Sequence, residues 1–174
     1  MMTDETEEIH SLWCCLAQIA SFSFEARQGE GSRTDWSGQG QGGVTLLPWQ
    51  GGVRFEESGH YTTPHGQVLA MSNSYGWQRG EAGITLCHLR FGSPVHLFEL
   101  KPIAAGIWES DEPHQCGADR YQARLVRHDA GFDLSWQIHG PRKNEALAYR
   151  YRIAETKKPV QGTGEGTIGG SIPK

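Results

Sequence analysis

The sequence predicts an all-β fold: an eight-stranded antiparallel up-and-down barrel with one N-terminal helix. Three observations predict it. From Ser21 to Ala154 apolar residues recur mostly at every second position in short runs, as half-buried strands require. Turn residues break those runs often, and the 174-residue chain holds 23 Gly. No helix-length apolar pattern lies between the runs, which removes the crossovers that parallel strands need. Short, evenly spaced antiparallel strands form a meander. Closing the meander into a barrel removes the edges that invite aggregation. A sandwich is the competing architecture.

The helix is expected over residues 4–20. Ile9, Leu12, Trp13, Leu16, Ile19 and Ala20 follow the spacing of an amphipathic helix. Thr3 or Asp4 can cap it, and Glu5, Glu7 and Glu8 suit the positive end of its dipole. Its apolar face is narrow, which fits closing one end of the strands better than binding a partner or a membrane. Phe22 and Phe24 then alternate in SFSFEARQ. The Gly-rich stretch GEGSRTDWSGQGQGG reads as a loop leading into a weak strand, and VTLLPW ends at Pro48. GVRFEESGHYTT alternates through Val53 and Phe55. QVLAMSNSYGWQR puts Leu69, Met71, Asn73, Tyr75 and Trp77 on one face. GITLCHLRFG and VHLFELKP form a hairpin turning at Gly92-Ser93-Pro94. IAAGIWES continues or bends the latter strand at Gly106. In the last strand, EALAYRYRIA, Leu147, Tyr149, Tyr151 and Ile153 make the core face, which turns Arg150 and Arg152 outward. Residues 1–156 form one domain on this reading. The tail 157–174, low in apolar residues and rich in Gly, is expected to be flexible. Its GTGEGTIGG contains G-x-G-x-x-G, but no helix follows, so a dinucleotide site is rejected.

Composition bounds function. A net charge of −4 and a pI near 6.0 argue against general nucleic-acid binding. The acidic first residues lack the basic start of a secretory signal, and no apolar run is long enough to span a membrane. A cytoplasmic location is expected, with the chain a monomer or homodimer. The four cysteines, Cys14, Cys15, Cys87 and Cys116, contain no CxxC pair, and reduced thiols are the default in that compartment.

The stretch HQCGADRYQARLVRHDAGFDLSWQIHGPRK, His114 to Lys143, carries the chemistry. It reads as two strands joined by a Gly-containing loop, so both its ends lie at the same end of the sheet. His114, Cys116 and Asp119 are thereby brought toward Arg142 and Lys143. Tyr121 is expected to share a face with Ala123 and Leu125, and a phenol on an inner face seeks a hydrogen-bond partner. Arg142 can grip a carboxylate with two bonds, as Lys143 cannot. The structural alternative is a plain corner in which Asp119 pairs with Arg142 or Lys143.

The succession His114-x-Cys116-x-x-Asp119-x-Tyr121, then Trp136, then Gly140-Pro141-Arg142-Lys143 resembles an uncharacterised family of lipocalin-like proteins. Phe55-x-Glu57-x-Gly59, Tyr75-x-Trp77 and LRFGSPVHLFEL are similar as well. The resemblance covers residues 22–153 and implies a calycin-type eight-stranded barrel. It implies no reaction, because the family has none assigned.

Two function classes follow. The first is cytoplasmic binding of a small apolar or aromatic molecule with a polar or anionic group, through His114, Cys116, Tyr121, Tyr75, Trp77, Trp136, Arg142 and Lys143. Barrel mouths commonly hold such pockets. The second is a cofactor-independent isomerase, cyclase or lyase using His114, Asp119 and Tyr121 as acid and base. An interaction module with a filled lumen is a third possibility. Eight histidines occur, none in a tight metal-binding spacing. Convergence of His88, His96 and His114 with Cys116 on a metal, haem on His88 or His139, and nucleophilic catalysis by Cys116 rank below these readings. No cofactor, metal, nucleic acid or membrane is expected.

Overall fold

The computed structural model describes residues 2–29, 37–90, 93–110, 114–116, 119–141 and 143–155. Helix α1 (Met2–Leu16) precedes eleven strands: β1 (Ile19–Gln28), β2 (Gly38–Trp49), β3 (Gly52–Thr62), β4 (Val68–Arg79), β5 (Ile84–Arg90), β6 (Ser93–Ala104), β7 (Ile107–Ser110), β8 (His114–Cys116), β9 (Asp119–His128), β10 (Gly131–His139) and β11 (Asn144–Ile153). All pairings are antiparallel. Because β10 pairs with both β9 and β11, the sheet closes on itself. Its wall is β1 to β7 followed by β9 to β11, and short β8 lies beside the start of β9.

The antiparallel barrel and its N-terminal helix are as expected, but the wall has ten strands, not eight. IWES does not prolong the strand before it. Gly106 has a positive φ of 75°, a left-handed conformation that costs glycine little, and the chain reverses there. Pro102 therefore faces Trp108 across the β6–β7 pair. The end of the Gly-rich stretch is also not a loop. From Gly38 it is continuous with VTLLPW in a twelve-residue strand. Glycine is useful there because bulky rings cross its surface. A Cβ on Gly40 would meet the Phe24 ring at 2.4 Å, and one on Gly38 the Tyr61 ring at 2.8 Å. The helix stops at Leu16, so Ile19 and Ala20 belong to β1. It begins at Met2, ahead of both expected caps. The tail 157–174 lies outside the described residues.

Alternation assigns the core. Phe22, Phe24, Phe55, Tyr75, Trp77, Leu125, Phe132, Leu134, Trp136, Leu147, Tyr149 and Tyr151 are all buried, whereas Arg150 is exposed and Arg152 half-buried. At one end α1 places Leu12 and Leu16 in the same core. Glu8 fixes the helix there. Arg127 donates to both its carboxylate oxygens, at 2.9 and 3.0 Å, and the Trp108 indole donates at 3.0 Å. The strand registers then define the opposite end. Arg127 is near the close of β9, so Asp119 and Tyr121 at its start lie away from the helix. By antiparallel pairing the same end receives His139, Asn144, Gln28, Gly38, Thr62, Val68 and Arg90.

One part of the wall is incomplete. β4 pairs with β5 only from Tyr75 to Arg79, against Ile84 to His88. Among the described residues, Val68 to Ser74 have β3 on one side and no ladder to β5 on the other. The barrel thus carries a seam at the end away from the helix.

Candidate ligand site in the barrel interior

An acid sits where alternation demands an apolar residue. Val53, Phe55 and Glu57 follow one another on the inner face of β3, and Glu57 is 1% exposed. Its Oε2 accepts a hydrogen bond of 2.5 Å from the Tyr151 hydroxyl. Its Oε1 is buried and has no hydrogen-bond partner among the described residues; the same holds for the Trp77 indole nitrogen. Burial disfavours the carboxylate and outweighs the hydrogen bond from Tyr151 and the nearness of the Tyr149 hydroxyl, so the Glu57 pKa is pushed up to about 8. The group is a neutral carboxylic acid at neutral pH.

Tyrosines surround it. Tyr149 and Tyr151 stack at 5.2 Å, and the Tyr75 and Tyr149 hydroxyls are 3.4 Å apart. Burial raises the pKa of all three phenols, and the neighbouring Glu57 raises it further. The ring of His88 stacks on Tyr75 at 5.0 Å. Burial and the nearby Arg90 guanidinium both lower the His88 pKa, which favours the neutral imidazole.

The seam adjoins this group through cross-strand partners of Glu57 and Tyr75. A recess of about 580 Å³ between β4 and β5 is lined by Glu56, Ser72, Asn73, Ser74, His88, Leu89 and Arg90. Asn73 is the cross-strand partner of Glu57, and His88 that of Tyr75. Directly opposed residues point to one face of a sheet. The recess therefore ends on inner-face residues beside the buried acid and phenols. A second hollow, of about 480 Å³, is lined mainly by outward-facing residues such as Glu25, Glu109, Arg124, Ser135, Ala146 and Ala148, with Trp136 also at its wall.

The residues singled out from the sequence divide into two sets. Tyr75, Trp77 and Trp136 are buried inside the barrel. Trp136 packs on Tyr149 at 5.4 Å and edge-on to Tyr75 at 6.4 Å. The ends of the long hairpin do come together: Lys143 Nζ is 3.6 Å from Asp119 Oδ2. That contact is the pairing foreseen in the corner reading. The strand position of Tyr121 places it on the face of Ala123 and Leu125. Backbone register sets His114 opposite Tyr121 and Cys116 opposite Asp119. The side chains of His114 and Cys116, and all of Arg142, lie outside the described residues. Among those described, no three His, Cys, Asp or Glu side chains group as metal ligands would. His96 and His139 are exposed.

Sequence reasoning missed Glu57 as a site residue and weighed His88 only as a ligand for metal or haem. The signal for Glu57 was present. In GVRFEESGHYTT the apolar phase runs Val53, Phe55 and then Glu57, so strict alternation already places a carboxyl inside.

Among the described residues, no helix is long and apolar enough to cross a membrane. No curated protein and no solved structure matches the chain. A family model does match, over residues 22–153, and its span runs from Phe22 in β1 to Ile153 at the end of β11. On that match the chain belongs to the family of unknown function DUF6314.

Proposed function

We propose that the chain is a cytoplasmic, calycin-type binding protein for a small molecule with an apolar or aromatic body and a polar or anionic group. The observation that carries this reading is the seam: a recess between β4 and β5 ends beside a hydrogen-bonded acid and phenols inside an aromatic core. Wholly apolar filling would serve a structural barrel better, since each buried polar group must recover the hydration it loses. Tyr75 and Trp136 offer ring faces to the body of the ligand. Arg90 at the recess, with Lys143 at the same end of the barrel, supplies positive charge for an anionic group. Free thiols at Cys14, Cys15 and Cys87 suit a reducing compartment. A second reading, a cofactor-independent enzyme acting on the same class of molecule, is favoured by the neutral Glu57 carboxyl. An acid with a pKa of about 8 suits proton donation near neutral pH.

Two measurements test the binding reading. Native and denatured masses of freshly purified protein are compared, with a retained small molecule as the expected result. The aromatic anion anilinonaphthalene sulfonate is then titrated into the protein. Saturable fluorescence enhancement is expected, weakened several-fold in Arg90→Ala. A bare native mass together with no dye binding would overturn the proposal.

A further inference from the structure

Resting on that binding reading, we infer that Glu57 is the anchor of the ligand site: a buried carboxylic acid whose Oε1 donates a hydrogen bond to the carbonyl or ether oxygen of an otherwise apolar ligand. The geometry separates the two oxygens. Oε2 is engaged by the Tyr151 hydroxyl, which donates at 2.5 Å. Oε1 is equally buried and unpartnered among the described residues. With Oε2 acting as acceptor, the acid proton belongs on Oε1, where it meets no acceptor from the described residues. A buried donor left unpaired is destabilising, because it has given up its hydration for nothing. An oxygen atom of a ligand reaching this point removes that cost.

The charges facing Glu57 agree with an uncharged ligand head. Tyr149 and Tyr151 on β11 and Tyr75 on β4 supply phenols held in their neutral form. Tyr121 on β9 adds a fourth phenol near Tyr75. His88 on β5 favours its neutral form, and Arg90 stands two residues beyond it at the recess. At the recess the exposed Arg90 is the cation, the Glu56 carboxylate there being already paired with Arg54, and inward of it the groups are neutral and hydrogen-bonding. That order selects a ligand whose carbonyl enters first while any anionic group stays at the recess. A carboxylate entering first would exchange its hydration for a site without a buried cation among the described residues.

The probe for the test is prodan, a neutral aromatic ketone whose emission moves to longer wavelength when its carbonyl accepts a hydrogen bond. Wild-type protein at about pH 6 is expected to bind it with that red shift. Glu57→Leu is expected to bind it roughly tenfold more weakly and without the shift, as loss of one buried hydrogen bond implies. In wild type, binding should weaken as pH rises through about 8, where Glu57 loses its proton. In Glu57→Gln, whose amide still donates but does not titrate, binding should stay level with pH. Equal affinity and equal emission in wild type and Glu57→Leu would overturn the anchor role. If Glu57→Leu does not fold, matching pH profiles for wild type and Glu57→Gln would overturn it instead. Binding of anilinonaphthalene sulfonate that depends on Arg90, beside prodan binding indifferent to Glu57, removes the anchor and leaves the binding reading. Failure of both dyes removes both.

Discussion

The Tyr151 hydroxyl donates a 2.5 Å hydrogen bond to Glu57 Oε2 between β11 and β3, strands that are not neighbours in the sheet. The bond therefore crosses the lumen. It ties the strand that carries the buried acid to the strand that helps close the barrel. The ring that supplies it stacks on Tyr149 at 5.2 Å and packs tilted against Phe132 at 4.9 Å. The aromatic core and the polar cluster are thus one packing unit.

Glu57 makes stability fall as pH rises. Burial keeps its carboxyl protonated in the folded barrel up to about pH 8, whereas the ordinary value, taken for the unfolded chain, is 4.5. Between those values the folded state holds a proton that the unfolded state has released. Stability therefore declines through that window and levels off above it. The full effect is at most roughly 5 kcal/mol. Glu57→Gln cannot lose a proton, so its urea midpoint should gain on that of wild type from about pH 5 to about pH 9. Parallel midpoint profiles would contradict this.

Glu8 acts with the opposite sign. Burial opposes its ionisation, but hydrogen bonds from Arg127 and Trp108, with the Arg127 charge, together hold its carboxyl below the usual range. Its contribution is present above the ordinary carboxylate pKa and is lost as pH falls through the lowered value. Arg127→Ala leaves the largely buried Glu8 without its paired cation and should cost about 2–3 kcal/mol, less than a fully buried pair because Arg127 is partly exposed. Arg127→Lys should recover only part of this, since an ammonium cannot reproduce the two-pronged bond. Thermal melts at pH 7 and at about pH 3 check both statements: the penalty should shrink in acid.

The barrel was readable because period-two alternation depends on local side-chain chemistry. QVLAMSNSYGWQR and EALAYRYRIA each reveal their inner face without reference to any partner strand. The proximity of Asp119 and Lys143 was also readable, since it needs only a hairpin. The strand count was harder. Nothing local distinguishes a bend from a reversal at Gly106, and the inner glycines of β2 carry no hydrophobic signal because their space is filled by Phe24 and Tyr61 from neighbouring strands. The seam was unreadable for a similar reason. It results from β4 and β5 having unequal lengths in register, a relation between strands. Glu57 gave a local signal, but its meaning comes from Tyr149 and Tyr151, more than ninety positions away.

The glycine row of β2 gives a sharp contrast between two residues three positions apart. A Cβ on Gly40 would stand 2.4 Å from the Phe24 ring and 2.9 Å from the His60 carbonyl oxygen. A Cβ on Gly43 would find only the Ala20 carbonyl oxygen, at 3.8 Å. Gly40→Ala should therefore destabilise by roughly 1–3 kcal/mol, because the ring must leave its place against Tyr149. Gly43→Ala should be neutral or slightly stabilising, since alanine restricts the unfolded chain. Urea denaturation of the two variants checks the contrast, and equal midpoints would contradict it.

The seam should be visible in the backbone without any ligand. In an antiparallel strand successive N–H groups point to opposite sides. From Tyr75 to Arg79, β4 has ladders on both flanks, to β3 and to β5 over most of that length. From Val68 to Ser74 it has only β3 among the described residues, so every second amide faces the seam and lacks a ladder bond to the described part of β5. Amide exchange followed by NMR should show protection alternating along Val68–Ser74 and becoming continuous near Tyr75. Uniform protection from Val68 to Arg79 would mean that the seam closes in solution. The access route on which the binding proposal depends would close with it. If anilinonaphthalene sulfonate occupies the recess, the fast amides nearest Ser72 and Ser74 should slow on its addition, while those of the outer hollow by Ala146 and Ala148 should not change.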